Sequence, residues 1–268
     1  MHRRLGHPSK DVLWQAQKHT EGFPPSIEFP KEDPICPGCT EGKMHNKAFL
    51  PSTLRATEPF ELIHSDVKLF PIDSYHKYRY YILYYDDFTS NAWTVNLHNK
   101  SAAITATCQF LAMAKNQYGK QVKKWMSDAG GEYKSEAFDK MLKDEGIQIL
   151  QSLPHTPQEN GGAEQFNRTI MDKAEAMRHE VWLPESWWEF AVEHAVHLYN
   201  RTPVRRLKWC TPYEMLNGKA PSIKHLRIFG CGAYVFVPKD VRQNTLSRKS
   251  ELMVYLRVAP GGHGVRFM

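Results

Sequence analysis

A chain of 268 residues with 41% hydrophobic and 12% aromatic residues has the composition of a globular protein, which excludes global disorder. No apolar run reaches the roughly 18–20 residues that span a bilayer. The opening M-H-R-R-L-G-H lacks the apolar centre of a secretory signal, which together point to an intracellular protein. The net charge of +6 is uneven: residues 1–60 sum to +1, residues 61–200 to −5, and residues 201–268 to +10, with 13 Lys/Arg against 3 Asp/Glu in the last segment. An acidic centre with a basic extension suits a polyanion partner, although charge alone also describes a solvated basic face.

Residues 1–50 carry His2 and His7, then Cys36 and Cys39 as a C-x-x-C pair. Two imidazoles and two thiols in close pairs suit tetrahedral zinc. A short helix over Lys10–Lys18, capped by Ser9, would connect the pairs, and Pro24, Pro25, Pro30 and Pro34 forbid a long helix after it. Apolar residues are few here, so a metal would replace the missing core. His2 is the second residue, so the module is expected to be incomplete at its N-terminal side. Cys108, Cys210 and Cys231 are scattered, and an odd total of five does not form a disulfide framework.

Residues 51–60 read as a linker. Strands are expected over Glu61–Lys68, Tyr78–Tyr85 and Ala92–Leu97, where apolar, aromatic and β-branched runs are bounded by turn residues. The run Y-R-Y-Y-I-L-Y-Y suits a central strand. A helix follows over Ser101–Tyr118, ended by Gly119, then a strand over Val122–Ser127 with Asp128 just past it. A second helix over Ser135–Glu145 stops at Gly146 and leads to a short strand, Ile147–Leu150. Ala163–Val181 reads as a long helix with Phe166, Ile170, Ala174, Met177 and Val181 as its apolar stripe. Trp187–Tyr199 is another helix. Asn200 onward is turn-rich, Phe229–Val237 is a strand, and V-A-P-G-G-H-G-V-R-F-M shows no closing element, so the basic extension is expected to be truncated. This order predicts a mixed α/β domain in which an antiparallel meander enters a sheet continued by crossovers.

Three acids lie at element ends: Asp66 in the first strand, Asp128 after the fourth and Glu164 in the first turn of the long helix. Strand ends and helix starts can converge at one rim of a sheet. Clustered carboxylates repel unless a divalent cation neutralises them, and hard oxygen donors select Mg²⁺ or Mn²⁺. Two such ions would clamp the attacking and leaving oxygens of an in-line phosphoryl displacement. With 29 acids in the chain, chance also supplies three at such positions. Tyr84-Tyr85-Asp86-Asp87 fits the Y-x-D-D pattern of polymerases, but a polymerase palm needs far more chain, and these acids more simply close a strand and begin a turn.

The runs H-R-R-L-G-H, C-P-G-C-T-E-G-K, H-S-D, S-D-A-G-G-E-Y, H-T-P-Q-E-N-G-G-A-E-Q-F-N-R-T-I and Y-N-R-T-P resemble the integrase of copia-type long-terminal-repeat retrotransposons, over nearly the whole chain. The resemblance implies an RNase H-like mixed five-stranded sheet flanked by helices in residues 61–200. A His-His-Cys-Cys zinc module in residues 1–50 would precede it, and a basic extension in residues 201–268 would follow. It implies metal-dependent joining of cDNA 3′ ends into target DNA. Asp66, Asp128 and Glu164 would hold two Mg²⁺, and His2, His7, Cys36 and Cys39 would hold Zn²⁺. Double-stranded DNA is the implied partner, with RNA as a further one. The implied assembly is a homo-oligomer acting in the nucleus after a cytoplasmic phase, away from membranes. Asn160 could hydrogen-bond DNA or position its loop, and Arg168 could meet phosphate or pair with Glu164 or Glu175. The loop Ser152–Gly162 would act as a lid. Family members often carry basic residues after the catalytic Glu, where this chain has Gln165-Phe166, which weakens a phosphate contact or reflects core packing. A catalytically inactive or domesticated remnant that binds nucleic acid, and an RNase H-like nuclease, remain alternative readings.

Overall fold

The computed structural model describes residues 55–127, 136–151, 161–259 and 264–268, together with Ser9, Asp11, Cys36, Pro37 and Cys39. The chain divides into two compact units, Met1–Pro51 and Ser52–Met268. His2, His7, most of the expected helix Lys10–Lys18 and the linker residues 51–54 lie outside the described residues, as do Asp128, Asn160 and the loop before it.

The second unit is built on a five-stranded sheet, β1 (Leu62–Leu69), β2 (Tyr80–Asp86), β3 (Ala92–Leu97), β4 (Lys124–Ser127) and β5 (Gln148–Gln151), in the order β3-β2-β1-β4-β5. β1 pairs antiparallel with β2 and parallel with β4, and β4 pairs parallel with β5. The meander followed by crossovers is as expected from the pattern. The parallel strands need helices to return the chain: α1 (Ala103–Tyr118), α2 (Glu136–Asp144) and α3 (Gly161–Glu180). α4 (Trp188–Tyr199) and a short α5 (Pro212–Asn217) follow.

Alternation along β2 explains its near-continuous apolar sequence. Ile82 and Tyr84 face one core with Phe110 of α1, Trp125 of β4 and Phe138 of α2. Tyr81, Leu83 and Tyr85 face the other with Phe166, Ile170 and Ala174 of α3 and Trp188 of α4. Both faces are covered, so every position of the strand meets apolar surface. Phe70 stacks on Trp188 with ring centroids 3.8 Å apart, a contact worth about 0.5–1.5 kcal/mol beyond its buried area. α4 is tied to the sheet edge by Asn200, whose amide exchanges two hydrogen bonds (2.9 and 2.8 Å) with the backbone of Ala92.

Residues 55–60 are docked on this core. The Phe60 side chain is fully buried and its N–H donates to Asp86, while the Ala56 N–H donates to Asp87 (2.9 Å). After residue 200 the structure is more regular than the turn-rich sequence suggests. Thr211 caps α5 through its hydroxyl, Pro212 stands in its first turn and Gly218 ends it with φ +70°. The expected strand Phe229–Val237 is confined to β6 (Gly232–Phe236), which pairs with β7 (Ser250–Val258), and β7 pairs in turn with β8 (Val265–Phe267). The expectation that the last residues add no closing element is therefore corrected. Val265–Phe267 pairs antiparallel with β7 across an irregularity at Tyr255/Arg257. Among the described residues no helix is long and apolar enough to cross a membrane.

Candidate active site

Asp66 is the one predicted catalytic acid whose side chain is described. It is half-buried in β1, on the face turned towards α3. Asn167 of α3 donates from its amide Nδ2 to Asp66 Oδ2, and the Tyr81 hydroxyl donates to Asn167 Oδ1 at 2.6 Å. Asn167 is 4% exposed and Tyr81 fully buried. Burial, and then the negative charge of Asp66, push the Tyr81 phenol far above its ordinary range, so it stays a protonated donor. Three side chains from β1, β2 and α3 thus form one polar chain inside an aromatic layer.

Glu164 lies in the first turn of α3, one turn before Asn167. Three residues of helix rise by about 4.5 Å, so the α3 backbone at Glu164 is close to the contact that Asn167 makes with Asp66. β4 runs parallel to β1 in the register Ser65↔Ser127 and ends there, one residue before Asp128. The elements that carry all three acids are therefore adjacent, while the Asp128 and Glu164 carboxylates lie outside the description.

Phe166 is core. It is 6% exposed, with ring centroids 4.6 Å from both Tyr85 and Tyr199. This resolves the departure after Glu164 in favour of packing. Arg168 is exposed and has no ion pair among the described residues, and Glu175 is taken by Arg178 (2.6 Å) and His179 (3.3 Å). Cys36 and Cys39 are partly exposed and not disulfide-bonded. Among the described residues no group of His, Cys, Asp or Glu is arranged to hold a metal.

Behind Asp66 the D-D-F-T-S-N turn is structural. Asp86 accepts from the N–H and hydroxyl of Thr89 (2.8 and 2.6 Å). Asp87 meets Arg55 (3.1 Å), Arg206 (3.3 Å) and His64 Nε2 (3.7 Å). Asn167, Tyr81 and the Asp87 cluster escaped the sequence reading. Asn167 left one trace: it stands three residues before Ile170, on the buried face of the helix, and a buried amide must find partners.

Residues 56–157 match the integrase core domain. Strands β1 to β5 and Asp66 lie within that matched span. The chain is similar to part of retrotransposon Pol polyproteins. It is 34% identical over 244 residues to the retrovirus-related Pol polyprotein from transposon TNT 1-94 of Nicotiana tabacum, covering 90% of this chain and 18% of that protein. It is 32% identical over 256 residues to the corresponding polyprotein from transposon RE1 of Arabidopsis thaliana, covering 95% of this chain and 17% of that protein. The chain thus spans less than a fifth of the length of these relatives. Its fold is similar to a chain of the simian T-cell lymphotropic virus intasome, with TM-score 0.55 at 14% identity, covering 87% of this chain and 84% of that one.

Proposed function

We propose that the chain is the integrase segment of a retrotransposon polyprotein and joins element cDNA 3′ ends to target DNA. The observation that carries this reading is the contact of Asp66 on β1 with Asn167 on α3, one turn after Glu164, within a chain that matches the integrase core. Asp66, Asp128 and Glu164 are the catalytic acids, and three carboxylates form the hard oxygen set that suits Mg²⁺ or Mn²⁺. The half-buried Asp66, with one oxygen accepting from a neutral amide, fits that donor set. Bound by these acids, two such ions supply Lewis acidity at the attacking and leaving oxygens of phosphoryl transfer.

The reaction balances simply. The cDNA 3′-hydroxyl attacks a target phosphorus and gives its proton to solvent. One P–O bond forms, and the bond to the target 3′ oxygen breaks, that oxygen leaving as a hydroxyl. No covalent bond to the protein is needed. Arg168, exposed on α3, would meet a DNA phosphate, and Asn160 would order the loop before the helix. His2, His7, Cys36 and Cys39 form a zinc module in residues 1–50, followed by the core, which takes in the docked residues 55–60 and runs to 200, and a basic extension at 201–268 that adds affinity for polyanions. Two DNA ends are joined, so the working form is a homo-oligomer, acting in the nucleus.

The test is strand transfer by the full chain with paired element-end DNA and Mg²⁺. The expected result is joined product from the wild type and its loss, by at least about 100-fold, in Asp66→Asn with DNA binding retained. Wild-type protein that binds DNA and joins none would leave a nucleic-acid-binding remnant; cutting without joining would leave a nuclease.

A further inference from the structure

We propose that Tyr81 is a positioning residue for Asp66, acting through the side-chain amide of Asn167. This rests on the reading of Asp66 as a metal ligand. A primary amide can turn over about its last torsion, exchanging its carbonyl and NH₂ ends. A carboxylate accepts hydrogen bonds and donates none, so only the NH₂ end is attractive to Asp66, and the carbonyl end would repel it. The backbone of α3 does not decide between the two. Tyr81 does, because its hydroxyl donates to Asn167 Oδ1 at 2.6 Å and so turns Nδ2 towards Asp66 Oδ2.

The donor is itself fixed. Tyr81 is fully buried in β2, with its ring beside Phe70 and Trp188 at centroid distances of 5.8 and 6.5 Å. It stands opposite Lys68 in the antiparallel register, one diagonal from Asp66, and so shares its face of the sheet. Asn167 is held in turn by α3, whose Phe166 and Ile170 lie in the core. The plane of the Asp66 carboxylate is therefore set by a path that starts in the rigid aromatic layer. Removing the hydroxyl frees the amide to turn over, and the carboxylate loses the orientation that this contact gives it. Partners of this kind behind a metal ligand typically change metal affinity by about 10–100-fold.

Tyr84 provides the control. It is also fully buried in β2, its hydroxyl lies 3.1 Å from Thr107 Oγ1, and it faces the opposite core. Metal-free full chain is titrated with Mn²⁺ by calorimetry in the absence of DNA for wild type, Tyr81→Phe, Tyr84→Phe and Asp66→Asn, and each is melted in EDTA. The expected outcome is a Kd raised about 10-fold in Tyr81→Phe and unchanged in Tyr84→Phe, with both variants melting alike. If Asp66→Asn removes binding while Tyr81→Phe binds as the wild type does, the role of Tyr81 is overturned and that of Asp66 stands. Equal weakening in both Tyr variants would mean a general loss of packing and would also overturn it. If Asp66→Asn binds Mn²⁺ like the wild type, the reading of Asp66 as a ligand fails, and the inference with it.

Discussion

Asp86 and Asp87 are adjacent and both buried, yet their carboxyls shift in opposite directions. Burial raises Asp86, and its hydrogen bonds to Thr89 and Phe60 do not offset that. Burial also acts to raise Asp87, but His64, the Ala56 N–H and Arg206 together outweigh it and hold the group well below the usual carboxylate range. A carboxylate whose folded pKa is lowered adds stability above its unfolded value of about 4, and that stability is lost as pH falls below it. Asp87→Asn is therefore expected to cost about 2–3 kcal/mol at pH 7 and to make acid unfolding less steep. Urea unfolding followed at pH 7 and at pH 3 checks both, and a variant within about 0.5 kcal/mol of wild type at pH 7 would mean the cluster is incidental. The same residues show why the site was only partly legible. Strand and helix position make Asp66 and Glu164 candidates, and the motif resemblance singles them out among 29 acids. Asn167 and Tyr81 are 86 residues apart, and Arg206 and Asp87 are 119 apart, so no local spacing links them.

At the scale of elements, periodicity found the central sheet and the four long helices because each has a uniform buried face. It failed after residue 200, where faces change within one element. In β7 the exposed Ser250, Glu251 and Leu252 give way to the buried Tyr255 and Leu256, and pairing with β8 is irregular at Tyr255/Arg257. α5 was missed for another reason. Its Thr-Pro start and Gly end are cap signals, but over six residues they read equally well as turns. The segment before β6 turns at Gly230, with φ +79°, where an added Cβ would come 2.5 Å from Val181 Cγ2. Gly119, at φ +63°, has nothing within 4 Å. Gly230→Ala is thus expected to cost about 2–3 kcal/mol and Gly119→Ala about 1 kcal/mol. Equal midpoints in chemical denaturation would show that Val181 moves aside freely.

Across the second unit, the joint between α4 and the small C-terminal sheet contains His194, fully buried against Phe229 and Tyr255 with ring centroids 5.6 and 5.7 Å away. Among the described residues neither ring nitrogen has a hydrogen-bond partner. Burial lowers its pKa to about 4, and His197, lowered to about 3 by burial and by Arg201, lies beside it. An imidazole with a lowered folded pKa leaves stability intact above about 6.5; that stability is lost as pH falls from there towards the folded value. The whole unit should therefore melt at lower temperature at pH 5 than at pH 7, and His194→Phe should reduce that difference. A variant with the wild-type pH dependence of Tm would assign the effect elsewhere.

The helix cover described for the sheet has one more consequence. The span that matches the integrase core stops at residue 157, before α3 begins. The apolar face of Tyr81, Leu83 and Tyr85 is closed by Phe166, Ile170 and Trp188 together with Phe70, and Asp87 meets Arg206 as well as Arg55 and His64. The matched span is thus shorter than the stretch of chain that shares this hydrophobic core. A chimaera joined at residue 157 would combine halves of one hydrophobic core, and only partners matched in shape across that seam would fold.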